Sequence, residues 1–388
     1  MCRLKLRLLL VTEIIAPYRI PVFNALAACE DIDLHVIFLS ETDPILRQWH
    51  VYKDEIRFSY EVLPAWRYRW GKHNLLVNVG VTAALERQDP QAILCGGYNY
   101  VASWQAAWWA GRNKVPLLLW SESTRHDLRR RWRMIERMKV CFARRCVAFV
   151  SAGTSSHDYL AALGAPCERI FGAPNAVDVN FYATHGAKAR SAAAAVRRGY
   201  ALPERYFLYA GRLIAEKGVF DLLAAYAKLE PHKRSEIGLV FAGDGASRLQ
   251  LAKQAAAIHP GYVVLAGFVH REKLAELYAL SDALVLPTHS DTWGLVVNEA
   301  MACGLPVIAT DVAGCVPDLV EDGDNGFIVP ARNVGALAGA MTRLSDLKTA
   351  ARMGARSASR IRAFTPEACA EGMAKAVRFV CRAKVSTC

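Results

Sequence analysis

The chain has 388 residues, 53% of them hydrophobic and 22% charged, with a formal net charge of +12. That length fills two cores of roughly 150 to 200 residues each, and ordinary glycine and proline usage without repeats or low-complexity runs excludes fibrous, solenoid and disordered classes. The basic balance calls for an anionic partner and leaves open a nucleotide, a nucleic acid or the acidic face of a membrane.

The first residues, MCRLKLRLLLV, have the basic-then-apolar order of a signal peptide, but Glu13 interrupts the run and no small-residue cleavage site follows. They are read as a first buried strand. Further strands are expected at 33–39, 92–95, 116–120 and 147–151, with helices at 20–29, 99–112, 131–145 and 155–163. The second half repeats the alternation, with strands near 206–210, 238–242, 262–266, 283–286, 306–309 and 327–329. Its helices fall near 218–229, 247–257, 271–280, 294–302 and 334–345. Strands alternating with helices signal parallel sheets covered by helices, an α/β class of doubly wound type. Such sheets bind ligands at the carboxyl ends of their strands.

The Ala/Arg-rich stretch 183–199 follows the turn-forming APNAVD (173–178), so the boundary between halves is expected around 178–200. The expected domains are 1–182 and 200–364, followed by a terminal segment 365–388 whose helix starts at Pro366. No run of eighteen apolar residues occurs, so no membrane crossing is expected. Eleven scattered cysteines without a CxxC pair or a Cys/His cluster fit reduced thiols of a cytoplasmic protein and no metal site.

Residues 125–145 carry nine Arg/Lys against Asp127 and Glu136, interleaved with Trp132, Met134, Ile135, Met138, Val140 and Phe142. Such a basic amphipathic stretch is either a solvated helix flank or a peripheral contact with the anionic inner face of a membrane.

Three motifs in the second half carry chemistry. In YFLYAGRLIAEKG (206–218) an apolar strand runs into Gly211, a loop with Arg212 and Lys217, and then Gly218 and a helix. The helix dipole and two convergent cations suit a diphosphate; the competing reading is two surface cations at a helix start. FAGDG (241–245) ends a strand in a turn around Asp244. It is either a tight turn with Asp244 as a cap, or glycines such as Gly243 that admit a nucleotide close to the backbone. In ALVLPTHSDTWGLVVNEAMACGLPVIAT (283–310) a buried strand ends at Pro287, a polar loop carries His289, Ser290 and Asp291, and a helix begins near Gly294. Asp291 precedes that helix and Glu299 lies more than a turn inside it, which separates the carboxylates by roughly 10 Å along the axis. That spacing suits a transferred sugar at Asp291 and a ribose at Glu299, with the amides of Trp293, Gly294 and Leu295 facing a phosphate between them. The alternative is an N-cap aspartate and a surface glutamate.

The order GRLIAEKG, FAGDG, Asp291 and Glu299 flanking TWGLVVN, and EAMACGLPVIATDVAGCVPDLVEDGDNGFIV (299–329) resembles the retaining GT-B glycosyltransferases of family 4, of the bacterial lipopolysaccharide, capsule and glycolipid type. The resemblance covers nearly the whole second half, and PNAVD at 174–178 resembles the family's PNGVD turn. It implies two Rossmann-like domains facing across a cleft, with the last helix crossing back to the N-terminal domain. It also implies a nucleoside-diphosphate sugar as donor, a saccharide or lipid-linked acceptor, no cofactor and no obligatory metal. Arg212 and Lys217 would then stabilise the leaving diphosphate, Asp291 would hold the donor sugar and Glu299 the ribose. The chain departs from the family in having Asp291 where a longer glutamate is usual, Ala176 in place of glycine, and no paired glycines in TEIIAPYRIP (12–21).

That last loop puts Tyr18 and Arg19 at the phosphate or the acceptor, unless they only pack the loop. Many relatives carry a histidine after the strand that VPLLLW (115–120) represents; here SESTRHD follows, and Glu122 stands in its place with His126 as rival. Either would stabilise an oxocarbenium-like donor or orient the acceptor hydroxyl. In CGGYNYVASW (95–104), Tyr98 and Asn99 either line an acceptor pocket or fill a wall. Two competing classes remain: an NDP-sugar epimerase or a phosphorylase on the same architecture, the first needing further acid and base groups around the sugar and the second a cofactor lysine in a much longer chain, and a nucleic-acid-binding protein, suggested by charge alone and disfavoured by the carboxylates of the donor motif.

Overall fold

The computed structural model describes residues 5–43, 49–70, 73–126 and 133–385. The chain forms two compact units, one of residues 1–177 with 366–388 and the other of residues 178–365.

The first unit is built on strands β1 (Leu6–Ile14), β2 (Ile32–Ser40), β3 (Ser59–Val62), β4 (Ala65–Trp70), β5 (His73–Asn78), β6 (Ala92–Cys95), β7 (Leu117–Ser121), β8 (Ala148–Ser151) and β9 (Ile170–Gly172). Seven of them form one parallel sheet in the order β3-β2-β1-β6-β7-β8-β9, while β4 and β5 make a separate antiparallel hairpin. The sheet is apolar on both faces because helices cover both, and alternate residues feed different cores. Leu8 and Leu10 of β1 point with Leu34, Phe38 and Leu118 toward helices Ile20–Ala27 and Pro366–Val385. Leu9 and Val11 point with Ile37, Ile93 and Phe149 toward helices Val81–Gln88 and Val101–Arg112.

The last helix completes the first core with Cys369, Ala370, Met373, Ala374 and Val377. It is clamped by Arg378, whose Nε and Nη2 donate to the two carboxylate oxygens of Asp31 at 2.7 and 2.9 Å, while Nη1 reaches Glu371.

The second unit contains β10 (Tyr206–Ala210), β11 (Gly238–Ala242), β12 (Val263–Gly267), β13 (Ala283–Leu286), β14 (Val307–Thr310) and β15 (Gly326–Val329). Its sheet is parallel throughout, in the order β12-β11-β10-β13-β14-β15. Strand order reverses between β10 and β13 here, and between β1 and β6 in the first unit. These are the switch points at which doubly wound sheets bind ligands, beyond the carboxyl ends of the strands.

The sequence reading differs from the structure in four places. Residues 178–200 are not a boundary stretch: they form helices Val179–Ser191 and Ala193–Tyr200 of the second unit, so the expected end of the first domain at 182 falls inside a helix. Asp178 caps the first of these, accepting from the Phe181 amide at 2.9 Å. Gly186 of this helix faces Ala279 and Cys303, which an added Cβ would meet at an ordinary contact distance of 3.5 Å. The helix packs on Arg271–Leu280, a contact that Ala/Arg composition does not reveal.

The hairpin β4–β5 was not foreseen either, since its alternation is inverted: Arg67 turns inward to pair with buried Asp43, while Trp66 and Tyr68 face outward. The edge strands β3 and β9 are partly exposed and lack the run of buried apolar residues that marks the inner strands. Finally, helix Val81–Gln88 and the helices Pro231–Glu236, Val316–Leu319 and Leu347–Arg360 lie where no element was expected.

Candidate functional site

In the second unit, β10 ends at Ala210 and the chain passes through Gly211, Arg212 and a short 3-10 turn, Ala215–Lys217, into helix Val219–Ala227. Lys217 Nζ lies 2.6 Å from Asp291 Oδ2 and 3.3 Å from the Ser290 carbonyl oxygen, so the loop after β10 and the loop after β13 meet across the switch point. Gly218 makes the approach feasible. Its φ is +69°, and a Cβ there would sit 1.9 Å from the Pro287 carbonyl oxygen. Arg212 is exposed and, among the described residues, its side chain has no ion-pair or hydrogen-bond partner, which leaves a cation beside the Lys217–Asp291 pair. His289 is tied at the same edge by Nε2 to Asp221 Oδ2, 2.6 Å away.

Helix Leu295–Ala302 starts at Gly294, whose φ is +99°, and no side chain caps it. Asp291 is therefore not its N-cap; it accepts instead from Lys217 and, at 3.4 Å, from the Trp293 amide. Of the three amides expected to face a phosphate, that of Trp293 is already engaged, while Gly294 and Leu295 start the uncapped end. The Trp293 side chain is buried, its Nε1 donating to Asn298 Oδ1 at 2.8 Å, and it packs the unit rather than facing a ligand.

Glu299 lies on this helix and accepts from the Tyr278 hydroxyl at 2.8 Å on Oε2, with Tyr182 as a second donor. Burial pushes its carboxyl up to about 7, against the two tyrosine hydrogen bonds that lower it. The sequence reading missed Tyr182 and Tyr278. Tyr182 was placed at the end of the other domain, and a tyrosine in a core helix carries no local signal of a carboxylate partner.

The glycine turn FAGDG packs closely against the loop after β10, and Asp244 does not cap the helix that follows. A Cβ on Gly243, with φ +149°, would lie 1.8 Å from the Gly211 carbonyl oxygen, so the glycine serves the packing of two strand ends against each other. Asp244 accepts from the Gly245 amide at 2.7 Å and pairs with Arg248 at 3.2 Å.

In the first unit, Arg19, Glu122 and Asn175 converge at the carboxyl ends of β1, β7 and β9. Glu122 Oε1 accepts from Arg19 Nη2 and from Asn175 Nδ2, each at 2.6 Å. The Arg19 guanidinium also stacks 3.8 Å above the centroid of Trp120, the last apolar residue of its strand before Ser121. Asn175, from the turn before the second unit, is a further site residue that the sequence reading did not name. Tyr18 packs edge-on against Trp49 at 5.8 Å. Tyr98 is buried, its hydroxyl 2.8 Å from Ser123 Oγ and its ring against Phe142, and so fills the wall. Asn99 and His126 are exposed beside it in sequence and after β7, respectively.

Part of the basic stretch, residues 127–132, lies outside the described residues. Of the remainder, Lys139 is not a surface charge: it is buried, with Nζ 2.9 Å from Glu136 and 2.8 Å from the Tyr159 hydroxyl. Met134, Arg137, Met138, Cys141, Arg144 and Arg145 do form one exposed face of helix Arg133–Ala143 and its C-terminal turn. Among the described residues no helix is long and apolar enough to cross a membrane, and no three His, Cys, Asp or Glu side chains cluster as metal ligands.

These two parallel sheets place the chain in the GT-B fold class of α/β proteins. Anabaena Alr3699/HepE, solved with UDP, aligns with a TM-score of 0.74 and 18% identity over 97% of this chain and all of that one. Sucrose-phosphate synthase from Thermosynechococcus elongatus aligns with a TM-score of 0.74 and 21% identity over 98% of this chain and all of that one.

A narrower likeness lies in the second unit, where residues 196–360 match the sequence model of the family described as glycosyl transferases group 1. The chain is 37% identical over 155 residues to α-D-kanosaminyltransferase of Streptomyces kanamyceticus, covering 39% of this chain and 40% of the relative. It is 36% identical over 189 residues to D-inositol 3-phosphate glycosyltransferase of Streptomyces griseus, covering 45% and 40%. The chain thus spans about two-fifths of the length of these curated relatives.

Proposed function

We propose that this protein is a retaining glycosyltransferase of the family 4 type, which moves a sugar from a nucleoside-diphosphate sugar to a saccharide or lipid-linked acceptor in cell-surface polysaccharide or glycolipid synthesis. The observation that carries the reading is the convergence, at the switch point of the second unit, of a free Arg212, the Lys217–Asp291 pair and the uncapped helix that bears Glu299. The match of residues 196–360 to glycosyl transferases group 1 and the UDP complex of a protein with this fold support it.

In this reading Arg212, Lys217 and the amides of Gly294 and Leu295 bind the diphosphate, and Asp291 accepts from hydroxyls of the transferred sugar. Glu299, oriented by Tyr182 and Tyr278, accepts from the ribose hydroxyls. As the glycosidic bond loosens, negative charge grows on the diphosphate, and the two cations stabilise it by electrostatics already in place, without a metal. No nucleophilic side chain is required: the acceptor hydroxyl attacks the face that the diphosphate leaves and gives its proton to the departing phosphate. The first unit takes the acceptor, with Glu122 at the reacting side and Tyr18, Arg19 and Asn99 around it; Arg19 and Asn175 hold the Glu122 carboxylate in one orientation. The exposed Met/Arg face of helix Arg133–Ala143 suits peripheral contact with the anionic inner leaflet of the cytoplasmic membrane.

The test is a thermal-shift screen against UDP-, GDP-, ADP- and dTDP-sugars, repeated on Arg212→Ala and Lys217→Ala. One nucleotide sugar should raise the melting temperature of the wild type and lose that effect in the variants. If no nucleotide sugar shifts the wild type, or if both variants keep the shift, the donor site is elsewhere.

A further inference from the structure

At the amino-terminal edge of the first unit's sheet, the end opposite Glu122, the segments leading into β7, β8 and β9 border an open pocket of about 980 Å³. Helix Val101–Arg112 supplies Trp108 and Arg112 to it, and the last helix supplies Phe379. Four cations stand around the pocket, Arg112, Lys114, Arg145 and Arg169, and no acidic residue lines it. Among the described residues none of the four has an ion-pair partner; Arg112 leans on the Trp108 ring at 5.9 Å, and Arg145 on Trp104 at 5.5 Å while donating to the Cys141 carbonyl oxygen. Stacking on aromatic faces holds the guanidinium groups near an apolar wall without neutralising them. Trp108 is 61% exposed and Phe379 42%, apolar area of a kind that water alone does not favour.

We propose that this pocket binds the phosphate head and the first acyl carbons of an anionic phospholipid, and so anchors the first unit to a bilayer. A free phosphate would have use for the cations but none for Trp108 and Phe379. A neutral lipid would have use for the aromatic walls but none for four unpaired charges. An anionic amphiphile satisfies both, and a tryptophan beside arginines is the composition found at the depth of lipid headgroups. The inference deepens the peripheral-membrane part of the proposed function by giving it a defined site, distinct from the Met/Arg face of helix Arg133–Ala143.

The experiment titrates the full chain with monomeric dihexanoyl phosphatidylglycerol below its micelle concentration, following tryptophan fluorescence and calorimetric heat. Dihexanoyl phosphatidylcholine and glycerol phosphate serve as comparison ligands. Saturable binding of the phosphatidylglycerol alone is expected, weakened roughly tenfold or more in Arg112→Glu/Arg169→Glu and in Trp108→Ala. Both variants change exposed positions, and unchanged melting curves establish that they fold.

Equal binding of glycerol phosphate would make this a plain anion site and overturn the proposal, as would equal binding of phosphatidylcholine. A concentration-dependent dimer abolished by the charge reversals would identify a second copy as the occupant and overturn it too. Sedimentation with phosphatidylglycerol vesicles separates the two ideas. Vesicle binding without monomeric-lipid binding refutes the pocket and leaves the helix face; monomeric-lipid binding without vesicle binding refutes anchoring.

Discussion

Glu299 sits where ionisation matters twice. Burial raises its carboxyl to about 7, and in the proposed reading only the anion would accept from ribose hydroxyls while the tyrosines donate to it. Donor affinity should therefore fall as pH drops through about 7, and Tyr278→Phe should shift that midpoint upward because it removes a donor to the charged form. A titration of nucleotide affinity against pH checks both. The stability effect has the opposite sign. A folded-state value above the unfolded one favours the fold fully below the unfolded value, and that contribution is lost as pH rises through about 7. Glu299→Gln should thus stabilise the protein by roughly 2 kcal/mol at pH 8, with the gain shrinking toward pH 5, as chemical denaturation at the two pH values would reveal. At Lys217 the effect is on turnover: Lys217→Ala should lower kcat by roughly 10²–10³, the scale for losing one preorganised charge-stabilising group. Near-normal transfer by that variant would remove Lys217 from the mechanism.

At the scale of elements, the site depends on loops held by backbone contacts. Gly218 permits the 3-10 turn bearing Lys217 to lie against Pro287, and any side chain there meets both a left-handed φ and a carbonyl oxygen. Gly218→Ala should cost about 2 kcal/mol or more and weaken nucleotide binding with it, measured as a lower melting temperature and a lost ligand shift. Helix Val179–Ser191 brings Tyr182 to Glu299 through its packing on Arg271–Leu280. Tyr182→Phe is expected to raise the KM for a nucleotide sugar with little change in kcat, because it loosens a positioning contact and leaves Arg212 and Lys217 in place.

At the scale of the molecule, the last 23 residues belong to the unit formed by the first 177. The helix Pro366–Val385 closes one face of the first sheet, and a Cβ on Gly372 would lie 2.1 Å from the Gly172 carbonyl oxygen and 2.7 Å from Ala173 Cα. Gly372→Val should therefore destabilise the first unit by about 1–3 kcal/mol, a typical cost of overpacking. Hydrogen exchange should localise the loss to residues 6–172 and 366–385 and spare the second unit.

Eleven of the parallel strands were legible in the chain because each is a short, mainly apolar run between turns, most of them buried throughout, a pattern that owes nothing to distant contacts. The places of Arg212, Lys217 and Asp291 in the fold were legible for a related reason: they follow closely on strand ends whose positions the hydrophobic pattern fixes, whereas Glu299 lies on the helix beyond. What the sequence left open depends on partners far along the chain. The hairpin β4–β5 turns on Arg67 finding Asp43, and the choice between surface and buried charge at Lys139 turns on Glu136 and Tyr159. Gly243 packs against a carbonyl 32 residues away, and Glu122 is held by Arg19 and Asn175, 103 and 53 residues distant. Local periodicity determined the sheets and the strand-end loops; only the tertiary structure decided which charges on those loops are paired, buried or free, because pairing energy is set by distance in space and not by separation in sequence.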